Sequence, residues 1–140
     1  MIRVFVAPIE AVWNEWTEPA AFADWFGSPT GEVPLDTVSM DVQPGGAWRL
    51  TMFDGTNRRR IDWRGTYLEV DPPTRLVFNI TDQAEGTFLD VVSVVLTDLG
   101  DGRTEMLVEQ RGGGLSPDGY LRAGSGWSKF FDRIAERLAS

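Results

Sequence analysis

The sequence contains no cysteine and no histidine. The first absence removes disulfides, thiolate nucleophiles and cysteine metal sites together. The second removes the general base best matched to neutral pH and the commonest metal ligand. Serine–histidine–acid triads, histidine-built zinc sites and haem on an axial histidine are thereby excluded. Positive charge is also scarce: 13 Lys and Arg stand against 21 Asp and Glu, a net charge of −8. Such a balance repels phosphate backbones, so nucleic acid is not expected as a partner. The one basic run, Arg58-Arg59-Arg60, adjoins the turn signal Asp54-Gly55 and reads as a solvated hairpin rim. No stretch approaches the roughly 20 apolar residues of a membrane span. The opening MIRVFVAPIEAVW lacks the pattern of a cleaved signal. The expectation is a cytoplasmic protein with no cofactor and no metal.

Aromatic residues are abundant instead, with six Trp and eight Phe among 140 residues. A hydrophobic share of 42% with 24% charged residues is ordinary for a globular chain, and the length suits one domain over residues 1–140. Ile2 to Val6 alternate as a strand, with Ile2, Val4 and Val6 on one face. Pro8 suits a first helical turn, and Ile9, Val12, Trp13 and Trp16 form one helical stripe. Phe22, Trp25 and Phe26 repeat that spacing. The pattern predicts short helices over 8–16 and 19–26, then a loop over 27–34.

Beyond the loop the period changes to two. Strands are expected over 37–42, 47–53, 61–70, 75–81, 89–97 and 103–111, joined by Pro44-Gly45-Gly46, Asp54-Gly55, Asp71-Pro72-Pro73 and Gly100-Asp101-Gly102. Short turns between successive strands mean an antiparallel meander. Gly65 in mid-strand signals a bulge or the close approach of another group. Ser116-Pro117 caps a final helix whose apolar residues, Tyr120, Ala123, Trp127, Phe130, Phe131, Ile134 and Leu138, step by three and four. Arg122, Lys129, Arg133, Glu136 and Arg137 are expected largely on the other side. The fold class is α+β, with a curved antiparallel sheet of six to seven strands around one long C-terminal helix.

A sheet with one apolar face must bury it, and only the last helix is long enough to cover it. A helix lying in a strongly twisted sheet does not touch both walls along its full length, which leaves room for a cavity. Gly124 and Gly126 interrupt that helix at about 1 kcal/mol each relative to Ala. Either close packing or space for a ligand explains them.

The stretches APIEAVWNEWTEPAAFADWFG, DVQPGGAWRLTM, DGTNRRRIDWRGTYLEVDPPTRLVF, GDGRTEMLVEQ and GWSKFFDRIAERL carry a resemblance. The chain resembles the bacterial branch of the domain found in activators of the ninety-kilodalton heat-shock chaperone ATPase. That branch lies in the START-like, polyketide-cyclase-like (SRPBCC) superfamily, and the resemblance implies its helix-grip fold. The superfamily includes lipid carriers, hormone receptors, aromatase/cyclases and chaperone cofactors, so fold does not choose among them. No segment matches the separate chaperone-engaging domain of the full eukaryotic activator.

The expected inner wall comprises Trp48, Leu50, Trp63, Tyr67, Phe78, Val94, Met106, Val108 and Gln110. The helix adds Gly124, Trp127, Phe130 and Phe131. The indole N–H groups, the Tyr67 hydroxyl and the Gln110 amide would be the polar members. The bland alternative is that these residues fill a solid core. Asp41, Arg49, Asp62, Arg64, Glu105 and Glu109 alternate with apolar neighbours, and Glu105 and Glu109 fall on the face opposite Met106 and Val108. No catalytic residue is assigned. The Gly112–Gly114 run reads as a gate or a plain connector. Three functions fit. The first is a binder of a small apolar or amphipathic ligand, such as a lipid or polyketide-like molecule. The second is a stress-response or chaperone-contacting module with an exposed apolar patch near Trp16 or Trp25. The third is a cyclase or hydrolase using an inward carboxylate or Tyr67. Homodimerisation is a further option.

Overall fold

Each alternating run becomes a strand, and each run with steps of three and four becomes a helix. A computed structural model, which describes residues 1–83, 90–112 and 115–140, begins with β1 (Ile2–Phe5), α1 (Ile9–Thr17) and α2 (Pro19–Trp25). Two brief strands follow, β2 (Gly31–Glu32) and β3 (Ser39–Met40), with a 3-10 turn at Leu35–Thr37 between them. The meander is β4 (Ala47–Asp54), β5 (Arg59–Asp71), β6 (Arg75–Ile80), β7 (Asp90–Gly100) and β8 (Arg103–Arg111). The helix α3 (Pro117–Ala139) closes the chain, capped by Ser116, whose hydroxyl accepts from the Gly119 N–H. None of the described helices is long and apolar enough to cross a membrane.

The strands form one antiparallel sheet in the order β1-β8-β7-β6-β5-β4-β2, with β3 also on β4. Among the described residues the sheet therefore has eight strands, one more than the periodicity gave. The extra strand is β2, which lies in the segment read as loop. The strand expected over 37–42 shrinks to Ser39–Met40 because Thr37 joins the 3-10 turn. Its hydroxyl donates to the Pro34 carbonyl at 2.7 Å and accepts from the Thr51 N–H at 3.1 Å, so a side chain takes the place of a ladder partner. Pro8 stands outside α1 in extended conformation, as its N-cap. Leu89, the expected start of the strand that forms β7, lies outside the described residues.

The sheet curls where β5 is irregular. Leu68 is an extra residue between the Tyr67–Phe78 and Glu69–Val77 pairs, and such a bulge bends its strand. Gly65, three residues earlier, marks a close approach. A Cβ there would stand 2.3 Å from the Trp48 indole nitrogen and 1.8 Å from the Asn79 carbonyl. The missing side chain lets the Trp48 indole pass across β5 and donate to Asn79 O on β6 at 3.2 Å.

In the concave side, α1, α2 and the C-terminal half of α3 pack on an aromatic cluster. Trp16 is its centre, with ring centroids 4.8 Å from Trp25, 5.9 Å from Trp127, 6.2 Å from Phe78 and 6.3 Å from Phe131. The indole N–H of Trp16 points to Met106 Sδ at 3.3 Å, and that of Trp25 donates to the Glu15 carbonyl at 2.7 Å. The latter satisfies a carbonyl that the end of α1 would otherwise leave open. Arg133 and Arg137, expected largely on the solvent side, lie at its edge, 38% and 28% exposed. Both turn toward α1 and α2: Arg137 holds Glu15 at 2.7 Å and also Asp24, and Arg133 holds Asp24 at 2.9 Å. Glu15 is only 7% exposed, which is why α3 supplies cations there.

Candidate functional site

At the other end of the strands the concavity stays open. The C-terminal end of β4, the start of β5, the end of β6, the start of β7 and the end of β8 all meet there, as antiparallel order requires. They and the N-terminal half of α3 enclose a cavity of about 470 Å³. Its sheet wall is Met52, Trp63, Ile80, Asp90 and Gln110. Its helix wall is Ala123, Gly126, Trp127 and Phe130, with Leu115 from the segment before α3 and Phe26 from the segment after α2. Thr81, Asp82 and Gln83 complete it, the last two exposed at the rim.

The cavity exists because α3 presents small residues there. A Cβ on Gly126 would meet nothing within 4 Å. Of the two explanations for the helix glycines, close packing is thus not the one realised at Gly126. Gly124 faces elsewhere, because residues two apart on a helix are separated by about 200°. It borders a separate recess of about 270 Å³ with Met1, Val108 and Tyr120.

A chain of hydrogen bonds forms the polar end of the cavity. The Trp127 indole donates to Gln110 Oε1 at 2.8 Å, Gln110 Nε2 donates to Asp90 Oδ2 at 2.7 Å, and the Tyr120 hydroxyl donates to Asp90 Oδ1 at 3.1 Å. Direction is set by chemistry. An indole N–H only donates and an ionised carboxylate only accepts, so the amide between them has one possible orientation. Asp90 is 6% exposed. Trp63 lines the opposite wall with its ring, while its Nε1 is closed off from water and has no hydrogen-bond partner among the described residues. The indoles of Trp16, Trp25, Trp48 and Trp127 all have internal acceptors. An orphaned buried N–H costs about 1–3 kcal/mol unless something supplies an acceptor.

Of the residues expected to form the wall, Trp63, Gln110, Trp127 and Phe130 meet at this cavity. Trp48, Leu50, Tyr67, Phe78, Val94, Met106, Val108 and Phe131 belong to the buried core instead, Val108 also bordering the smaller recess. The reason is position along the strands. Alternation identifies the inner face but not which end of it the helices cover. The Tyr67 hydroxyl lies in that core, where burial, with the Asp41 charge adding, holds it well above the ordinary phenol range. The Gln110 amide, expected to be open to a ligand, is engaged at both ends. Asp90 was missed, yet the alternation Val92, Val94, Leu96 extended back by one step puts it on the same face. Asp62, by contrast, points outward and takes the Thr51 hydroxyl at 2.8 Å and Arg60 at 3.2 Å. The basic run behaves as expected: Arg58 is exposed and pairs with Glu32. Gly113 and Gly114 of the expected gate lie outside the described residues.

The order of elements, with two short helices after the first strand and a long terminal helix, agrees with what family comparison finds. The model of Activator of Hsp90 ATPase homolog 1-like protein matches residues 6–139. The chain belongs to that family. Among solved structures, the AHSA1 protein of Silicibacter pomeroyi superposes on this AHSA1-like domain with a TM-score of 0.84 at 23% identity. The alignment covers 99% of this chain and 95% of that one. A Chromobacterium violaceum protein gives 0.81 at 22% identity over 100% and 95%. CalU16 from Micromonospora echinospora gives 0.66 at 20% identity over 98% and 80%. Identities this low establish the shared helix-grip fold and no more. A search of curated proteins returned no match.

Proposed function

We propose that this AHSA1-like domain binds a small apolar or amphipathic molecule, lipid or polyketide-like, in the cavity under the first half of α3, without converting it. The observation that carries this reading is the cavity's construction. About 470 Å³ is an ordinary ligand volume. Its wall is mostly aromatic and aliphatic, with a polar chain at one end. A site of this kind orients a ligand by a few placed polar groups while burial of apolar surface supplies most of the affinity. The interaction-module reading needs an exposed apolar patch near Trp16 or Trp25. Those side chains are 1% and 0% exposed, so it has less support.

The test is native mass spectrometry of freshly purified protein, repeated after denaturing extraction, on wild type and on Gly126→Leu. The expected result is an extra mass on wild type that is lost on denaturation and absent from the variant. The substituted side chain would occupy open space, so the variant should keep its circular dichroism spectrum. An adduct retained equally by folded Gly126→Leu would place the ligand elsewhere.

A further inference from the structure

We infer that the molecule held in this cavity is an organic cation, an amine on an aryl or alkyl body, rather than a fatty or aromatic acid. The inference rests on the cavity reading above and narrows it by charge. Among the described lining residues the ionisable groups are Asp82 and Asp90, and none is Lys or Arg. Arg64 approaches the rim from outside, its Nε on the Gln83 carbonyl at 2.9 Å. Asp90 is the deeper carboxylate, and Gln110 and Tyr120, two of the groups that donate to it, are neutral. A ligand carboxylate brought here would lose its hydration beside a like charge, whereas an ammonium would regain part of its hydration energy from an opposite one.

The rings point the same way. Phe26 stands at 86° to Trp63 with centroids 5.9 Å apart, and Trp127 at 75° to Phe130 with centroids 5.6 Å apart. Phe26 also stacks on Phe22 and Trp127 on Phe131, whereas Trp63 and Phe130 have no stacked ring among the described residues, so their faces are the freer ones. Those faces carry the negative lobe of the π quadrupole, which attracts ammonium groups and repels carboxylates. Four aromatic rings and a buried carboxylate around one cavity thus form a surface matched to a cation on an apolar body.

The experiment is calorimetric titration with three ligands that share a ring system: 2-(2-naphthyl)ethylamine, 2-naphthylacetate and the neutral 2-(2-naphthyl)ethanol. Physiological ionic strength confines the effect of exposed charge to about 8 Å. The amine should bind at least about tenfold more tightly than the acetate, with the alcohol between them. Asp90→Asn should bring amine and acetate within about threefold of each other, and Asp82→Asn, at the exposed rim, should narrow the gap less. Should Asp90→Asn fail to fold, the rim variant still reads the local charge. Glu109→Gln, on the outer face, should leave the preference unchanged. An acetate that binds as well as the amine would overturn the inference and leave the cavity reading intact. So would a preference that Glu109→Gln reduces as much as Asp90→Asn, since the source would then be net charge. Failure of all three ligands, the alcohol included, would remove the cavity reading and this inference with it.

Discussion

The two halves of α3 lie over the same sheet and differ in what they meet. The C-terminal half presents Phe131 and Ile134, both buried, and locks to α1 and α2 through Arg133 and Arg137. The N-terminal half presents Ala123 and Gly126 and stands over about 470 Å³ of open space. One helix therefore serves as a core element at one end and as the lid of a cavity at the other. The volume of two or three side chains decides which. A short step in side-chain size, rather than a change of fold, separates a packed core from a binding site. That explains why so many functions share this architecture.

The comparison is most easily broken in the packed half. Trp16→Ala removes the side chain at the centre of the aromatic cluster and should cost about 3–5 kcal/mol in urea denaturation. A loss under about 1 kcal/mol would mean that this half is as loosely filled as the other. Next comes the ion clasp. Arg137→Met strands the Glu15 carboxylate in a nearly closed site and should cost about 2–3 kcal/mol, less than a fully buried pair because Arg137 itself is 28% exposed. This effect has a pH signature through Asp24. Burial pushes the Asp24 carboxyl up, but the hydrogen bonds and charges of Arg137 and Arg133 outweigh it and hold it below its ordinary 3.8. A depressed carboxyl stabilises the fold above its unfolded pKa and loses that contribution as pH falls through the lower folded value. The stability gap between wild type and Arg137→Met should therefore narrow as pH drops below 3.8. A gap independent of pH down to unfolding would assign the loss to packing alone.

The smallest effect belongs to the hollow half and has the opposite sign. Gly126→Ala adds a methyl where nothing lies within 4 Å. It should raise stability by about 0.5–1 kcal/mol, through helix propensity and a less flexible unfolded chain. Thermal unfolding should show the increase. A decrease would mean that the space above Gly126 is filled in the folded protein.

The fold was legible in most of its parts. Periods of two and of three to four placed the long strands and helices, because burial of one face imposes those repeats on any sequence. The short strands were harder: β2 and β3 have two residues each, too few for a period, and their places on β4 come from pairing. The site was half legible. Trp63, Gln110, Trp127 and Phe130 followed from inward faces, and Asp90 was one alternation step away from detection. Gly124 and Gly126 looked equivalent in the sequence, and only the helix's angular step separates the one at the cavity from the one at the smaller recess.

The sequence by itself determined which faces turn inward, where the final helix starts, and which chemistries are closed for want of cysteine and histidine. Those are local or compositional matters, settled by residue type and spacing. Only the tertiary structure decided which end of the concavity is filled and which stays empty. It also decided that Arg137 turns to Glu15 rather than to water, and that Trp63 alone among the buried indoles described lacks an internal acceptor. Those outcomes depend on the volumes and donors that distant segments bring together, and spacing along one chain does not encode that sum.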